Sequence, residues 1–275
     1  DTFTAVLKLM AVQIASEYLR ARDVKDVRVN HTLKRDIQRP LISAWNIVLK
    51  ETIPVLKQND IDFFSPELVR AYENLESNCK DKFFVEKQVL DEKGEMITRK
   101  SPMTKIQALI KYRNSLAHGF NQSKQRAQQE LEKYLPLLKD VLKEVGYMSR
   151  YTLWHVSSKD ESVSGIRLMG NNPVKQQLSV DRSLLDPKIS PVFLVNESTL
   201  EVLPMFSFFD LEVSEGMDLA ETGKDIFIFD GNTKNTVIYL SASSGEHLEK
   251  KPRMKHWKEV LATKDLELKM KNHIR

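Results

Sequence analysis

The apolar residues of this chain change their period once, close to residue 149, and that change calls for two differently built halves. Through residue 148 they recur every three to four positions. Ala5, Val6, Leu9, Met10, Val12, Ile14 and Tyr18 form one such series. Ile37, Leu41, Ala44, Trp45, Val48, Leu49, Ile53 and Leu56, between Leu33 and Leu56, form a second. This spacing places apolar side chains on one face of a helix. From Tyr151 the period is nearer two, in runs of β-branched and aromatic residues parted by turn formers: 151–156, 165–169, 191–195, 201–203, 206–213, 225–229 and 236–240. Such runs read as strands. The expected fold class is therefore α+β: an all-α helical bundle of four to five helices over 1–148, then a β-rich antiparallel module over 149–249. A basic segment over 250–275 returns to helix from Met254 as a tail or linker.

Local signals refine the helical half. Pro40 and Pro54 fall inside the second series, so that helix starts or bends near Pro40 and tightens or kinks again at Pro54. Ser65-Pro66-Glu67 is an N-cap with proline at the first helical position and opens a helix through about Asn78. Between Lys82 and Lys100 the pattern departs from helix, and Lys93-Gly94 sits between two apolar runs. A small hairpin insertion is expected there. Helical spacing resumes at Thr104 and leads into Arg113. After Gly119, a cap at Asn121 or Ser123 opens a long helix through Leu131, Tyr134, Leu135, Leu138, Val141, Leu142 and Val145 that ends at Gly146.

Charge follows the same division. Residues 1–150 carry +6, residues 151–249 carry −8, and residues 250–275 carry +6. The basic front half and tail suit a nucleic-acid partner and equally suit a solvated surface. No run approaches the roughly 20 apolar residues of a membrane span, and no leader-like segment is evident, so no membrane partner is expected. The single cysteine, Cys79, excludes an internal disulfide framework and points to a reducing, cytoplasmic setting. The sequons at Asn30, Asn121 and Asn196 then carry no meaning. A start at Asp1 and a charged end suggest a piece of a longer protein with further domains.

The residues best suited to chemistry lie in Arg113-Asn114-Ser115-Leu116-Ala117-His118-Gly119. Arginine stays charged and forks onto phosphate oxygens, and histidine exchanges protons near neutrality. Read structurally, the same residues are an ion pair for Arg113, a cap at Asn114, a carbonyl-bonded His118 and a left-handed Gly119 at a helix end. This string, set between two amphipathic helices, resembles the R-x4-H signature of HEPN domains, in which a polar residue follows the arginine as Asn114 does here. The resemblance implies a HEPN-like bundle of four to five helices that pairs as a homodimer. It also implies a composite, metal-independent endoribonuclease site with Arg113, Asn114 and His118 as catalytic residues and RNA as partner. The setting implied is a larger intracellular protein of prokaryotic type, used in defence or as a toxin. Many HEPN-like domains are instead non-catalytic dimerisation or regulatory modules, and here the β-rich half would then dock or sense a partner.

Elsewhere the sequence offers little chemistry. Its nine glycines form no nucleotide-binding loop, and His31, His155, His247, His256 and His273 lack ligand spacing, so neither cofactor nor metal is expected. Trp45, Trp154 and the Met205, Phe206, Phe208 and Phe209 cluster read as core. The Lys250–His256 run reads as a phosphate contact or a solvated linker.

Overall fold

The computed structural model describes residues 2–37, 41–79, 83–90, 92, 95–117, 123–156, 164–169, 172–177, 190, 192–211, 226–232, 236–241, 246–250 and 259–265. The chain forms two compact units, one of residues 1–6 and 67–147, the other of residues 7–66 and 148–275. The fold is α+β.

Helix α1, Thr2–Arg20, is buried at every position from Met10 to Leu19. An apolar majority all round the helix produces this, and it takes Gln13, Ser16 and Glu17 inside as well. Glu17 accepts a hydrogen bond from the Phe64 backbone N–H at 2.9 Å and lies 3.5 Å from the Arg20 guanidinium. Helix α2, Val27–Arg35, starts on Asp26, whose carboxylate accepts from the backbone N–H groups of Arg28 at 2.8 Å and Val29 at 3.1 Å. The Tyr18 hydroxyl accepts from the Asp26 N–H and donates to Asn30 Oδ1, and burial pushes its pKa up to about 12. Replacing Asp26 by alanine leaves the first turn of α2 without its acceptor, at an expected cost of about 1 kcal/mol in urea unfolding. A cost within error of zero would show that solvent replaces the cap.

Helix α3, Ile42–Gln58, remains helical through Pro54. The helix starts just after Pro40, one of the two expected alternatives, with Leu41 as its N-cap, and the earlier Leu33 of the same series belongs to α2. Two adjoining amphipathic helices on one core preserve a common spacing, so periodicity alone could not part them.

The same unit holds two antiparallel sheets. The first, ordered β5-β4-β3-β6-β7, is built from β3 Tyr151–Val156, β4 Ser164–Met169, β5 Asn172–Gln177, β6 Val192–Asn196 and β7 Val202–Pro204. Trp154, Val156, Phe193, Val195 and Val202 form its core. The second, ordered β11-β10-β9-β8, is built from β8 Phe209–Leu211, β9 Ile226–Asn232, β10 Val237–Ser241 and β11 His247–Lys250. Strands β9 and β10 pair antiparallel, and residues 233–235 between them lie outside the described residues. The 206–213 run is not one strand. Phe206–Phe208 is a 3-10 turn whose first residue has φ 50°, and pairing begins only at Phe209. Trp45 meets Phe229 edge-on at 6.3 Å, and Phe208 meets the same ring at 5.7 Å, so the aromatic cluster is core.

A short helix over 259–265 (α7) closes the corner between α1 and α2. Leu261 is fully buried, and Lys264 Nζ donates to the Ala21 and Val24 carbonyls at 2.5 and 2.7 Å, lying 4.7 Å from the Tyr18 ring centre. Asp265 accepts from Asn30 Nδ2 and pairs with Lys34. The buried ammonium ties the turn after α1 to α7 and shares the Ala21 carbonyl with the Val24 N–H. The Lys250–His256 run, apart from Lys250 in β11, lies outside the described residues, as does Met254.

The other unit contains α4, Pro66–Leu75, of which Glu67 onward belongs to it, the hairpin β1 Phe84–Leu90 with β2 Met96–Pro102, and helices α5 Lys105–Ala117 and α6 Lys124–Glu144. The hairpin is the insertion expected around Lys93-Gly94, residues that themselves lie outside the described set. Ser123 caps α6 by accepting from the Arg126 N–H at 3.3 Å, and α6 continues through Pro136. A 3-10 turn, Val145–Arg150, follows it.

Candidate active site

Helix α5 carries the candidate residues and is held at both ends. At its start Thr104 and Gln107 form a reciprocal cap: the Thr104 hydroxyl accepts from the Gln107 N–H, and Gln107 Oε1 accepts from the Thr104 N–H, each at 3.2 Å. Ile106, Ala108 and Leu109 are buried, and Lys105 Nζ reaches Asp140 of α6 at 2.9 Å. Toward its end the Tyr112 ring stacks on Tyr134 of α6, with centroids 4.1 Å apart and planes 13° apart. Tyr134 in turn packs on Phe83 at 5.1 Å, and burial raises its hydroxyl pKa. Lys133 Nζ lies over both of these rings.

The stack fixes the helix one residue before Arg113. Arg113 is itself exposed, and its guanidinium has no ion pair with another described residue. Asn114 is half-buried beside it. Ser115 turns inward on its own helix, its hydroxyl donating to the Tyr112 carbonyl at 2.6 Å. The description of α5 stops at Ala117, and His118 lies outside the described residues with 119–122. The string therefore runs from the last turns of one helix toward the cap of the next. Lys111 and Lys133 are also exposed on this pair of helices. An exposed guanidinium without an ion pair suits a phosphate group.

Tyr112, Tyr134 and Lys133 were not readable as site residues from the sequence. Tyr134 looked like one more apolar position on the core face of α6. The available signal was an aromatic residue directly before the arginine. Among the described residues no group of three or more His, Cys, Asp or Glu could hold a metal ion, and no helix is long and apolar enough to cross a membrane.

The Arg113–Ala117 part of the R-x4-H string lies in the last turns of α5, the helix before α6. The chain belongs to the RiboL-PSP-HEPN family, whose model matches residues 3–147, a little over half of its length. That span includes Arg113, Asn114 and His118, and the β-rich remainder falls outside it. No curated protein and no solved structure matches the chain.

Proposed function

We propose that this protein is a HEPN-type endoribonuclease that acts without a metal ion, as a homodimer whose two helical modules share one composite site. The observation that carries the reading is Arg113. A family-signature arginine held by the Tyr112–Tyr134 stack, exposed, and without an ion-pair partner among the described residues is poised for a ligand rather than spent on the fold. His118 takes the proton from a ribose 2′-hydroxyl, whose oxygen attacks the adjacent phosphorus. Arg113 stabilises the charge that builds on the phosphorane oxygens, and Asn114 orients the phosphate or the imidazole. The bond to the leaving 5′-oxygen breaks as that oxygen receives a proton from a second histidine, supplied by the partner subunit. The products are a 2′,3′-cyclic phosphate and a 5′-hydroxyl. By family analogy the setting is a cytoplasmic defence or toxin-like protein in which the β-rich region docks or senses the trigger.

The test is incubation of end-labelled single-stranded RNA with the purified chain in excess EDTA, beside the same strand with deoxyribose at every position. Cleavage of the RNA to cyclic-phosphate ends, with the DNA left whole, is expected. Intact RNA, or equal cutting of both strands, would overturn the reading and leave a non-catalytic dimerisation or regulatory module.

A further inference from the structure

Helix α6 has two apolar faces, and only one is used within its own unit. Tyr134, Leu137 and Val141 are buried. Leu131, Leu135, Leu138 and Leu142 form a second stripe, spaced 4-3-4, within about 60° of one another on the helix and roughly 90° from the buried set. Leu131 is 54%, Leu135 36% and Leu142 46% exposed, while Leu138 is half-buried. A 4-3-4 leucine spacing is the seam of a helix pair. Isolated exposed leucines are ordinary, but four in one line on one helix form a surface that needs cover.

The flanks of the seam say what covers it. On one side lie Tyr134 and Val141, both buried. On the other lie Glu132 and Lys139, seven residues apart and both exposed. If a second α6 crosses antiparallel about a two-fold axis between Leu135 and Leu138, Leu131 meets Leu142, Leu135 meets Leu138, and Glu132 of each copy faces Lys139 of the other. A parallel pairing would set Glu132 and Lys139 against the buried flank and form no ion pair. The stripe is thus complementary to itself in one orientation only.

We infer that α6 is the contact between two copies of this chain, antiparallel, with its two-fold axis between Leu135 and Leu138. This deepens the proposed nuclease reading and rests on it for its purpose, since it names the surface that would join two half-sites. Because Tyr112 stacks on Tyr134, Arg113 stands level with about residue 133 of α6. That is roughly 5 Å along the helix from the axis, so the two arginines come within about 10 Å of each other in that direction.

The experiment is sedimentation equilibrium of the full chain over a concentration series, with RNA cleavage assayed on the same samples. The wild type should associate to a dimer, and Leu135→Glu, at an exposed position, should be monomeric with unchanged circular dichroism. Glu132→Lys and Lys139→Glu each turn two symmetry-related attractions into repulsions and should raise the dimer dissociation constant about tenfold. The double variant restores opposite charges and should return it near the wild-type value. A monomeric wild type, a dimer indifferent to Leu135→Glu, or a double variant weaker than both singles would overturn the interface. Recovery in the double variant without any RNA cleavage supports the interface and sinks the nuclease. Cleavage by a dimer that ignores all four variants does the reverse.

Discussion

Arg113→Ala and His118→Ala are each expected to lower RNA cleavage by about 10² to 10⁴, and Arg113→Ala should leave the melting temperature within a degree or two of wild type. The two halves of this expectation have different grounds. Loss of rate follows from removing either the proton carrier or the fixed cation at the phosphorane. Retention of stability follows, for Arg113, from its exposure and its lack of an ion pair with any described residue. Surface substitutions away from structural contacts usually change stability by less than about 0.5 kcal/mol. Arg113→Lys separates charge from shape: a lysine keeps the cation but loses the planar fork, and should recover only part of the rate. Mixing wild type with His118→Ala adds a sharper readout. Because the shared site draws a histidine from each subunit, mixed dimers should be inactive, and activity should fall faster than the wild-type fraction. A fall in proportion to the wild-type fraction would mean that each chain works alone. Variants that cut as fast as wild type would show that the motif is structural.

The reach of the sequence can be judged from particular residues. Ser123 was readable as a cap because capping chemistry is local, involving one hydroxyl and one N–H three residues away. The hairpin near Lys93-Gly94 was readable for the same reason, since its two strands adjoin in sequence. The Arg113 string was readable only as a string, and the Tyr112–Tyr134 stack that fixes it joins two helices across 22 positions. Lys264 shows the limit most plainly. It reads as one more charge in a basic tail, yet it is buried on carbonyls about 240 residues earlier. No periodicity records such a contact. Strand β11 escaped notice because its four residues, His-Leu-Glu-Lys, take their place from pairing with β10 and not from their own preference. Nor does any local pattern show that α2 and α3 share a compact unit with the strands rather than with α5 and α6.

Glu17 gives the second large expectation, a loss of stability as pH rises toward neutrality. Burial pushes its carboxyl pKa up to about 7, against the pull of the Phe64 N–H and the Arg20 guanidinium. In the unfolded chain the group titrates near 4.5, so between about pH 4.5 and 7 the native state holds a proton that the unfolded state has released. Stability then falls with rising pH across that interval. It is greatest, as far as this group is concerned, below pH 4.5, and its contribution is spent once pH passes about 7. A gap from 4.5 to about 7 corresponds to roughly 3 kcal/mol, because each unit is worth about 1.4 kcal/mol. Glu17→Gln keeps the side chain's size and an oxygen that accepts from Phe64, but it cannot ionise. Urea midpoints for the two proteins between pH 4.5 and 8 isolate the effect, since every other titrating group cancels in their difference. The variant should gain on wild type progressively with pH and level off above about 7. A difference that stays constant over the whole range would mean that Phe64 and Arg20 keep the carboxylate ionised inside the fold despite its burial. The pH dependence of stability would then have to come from another group.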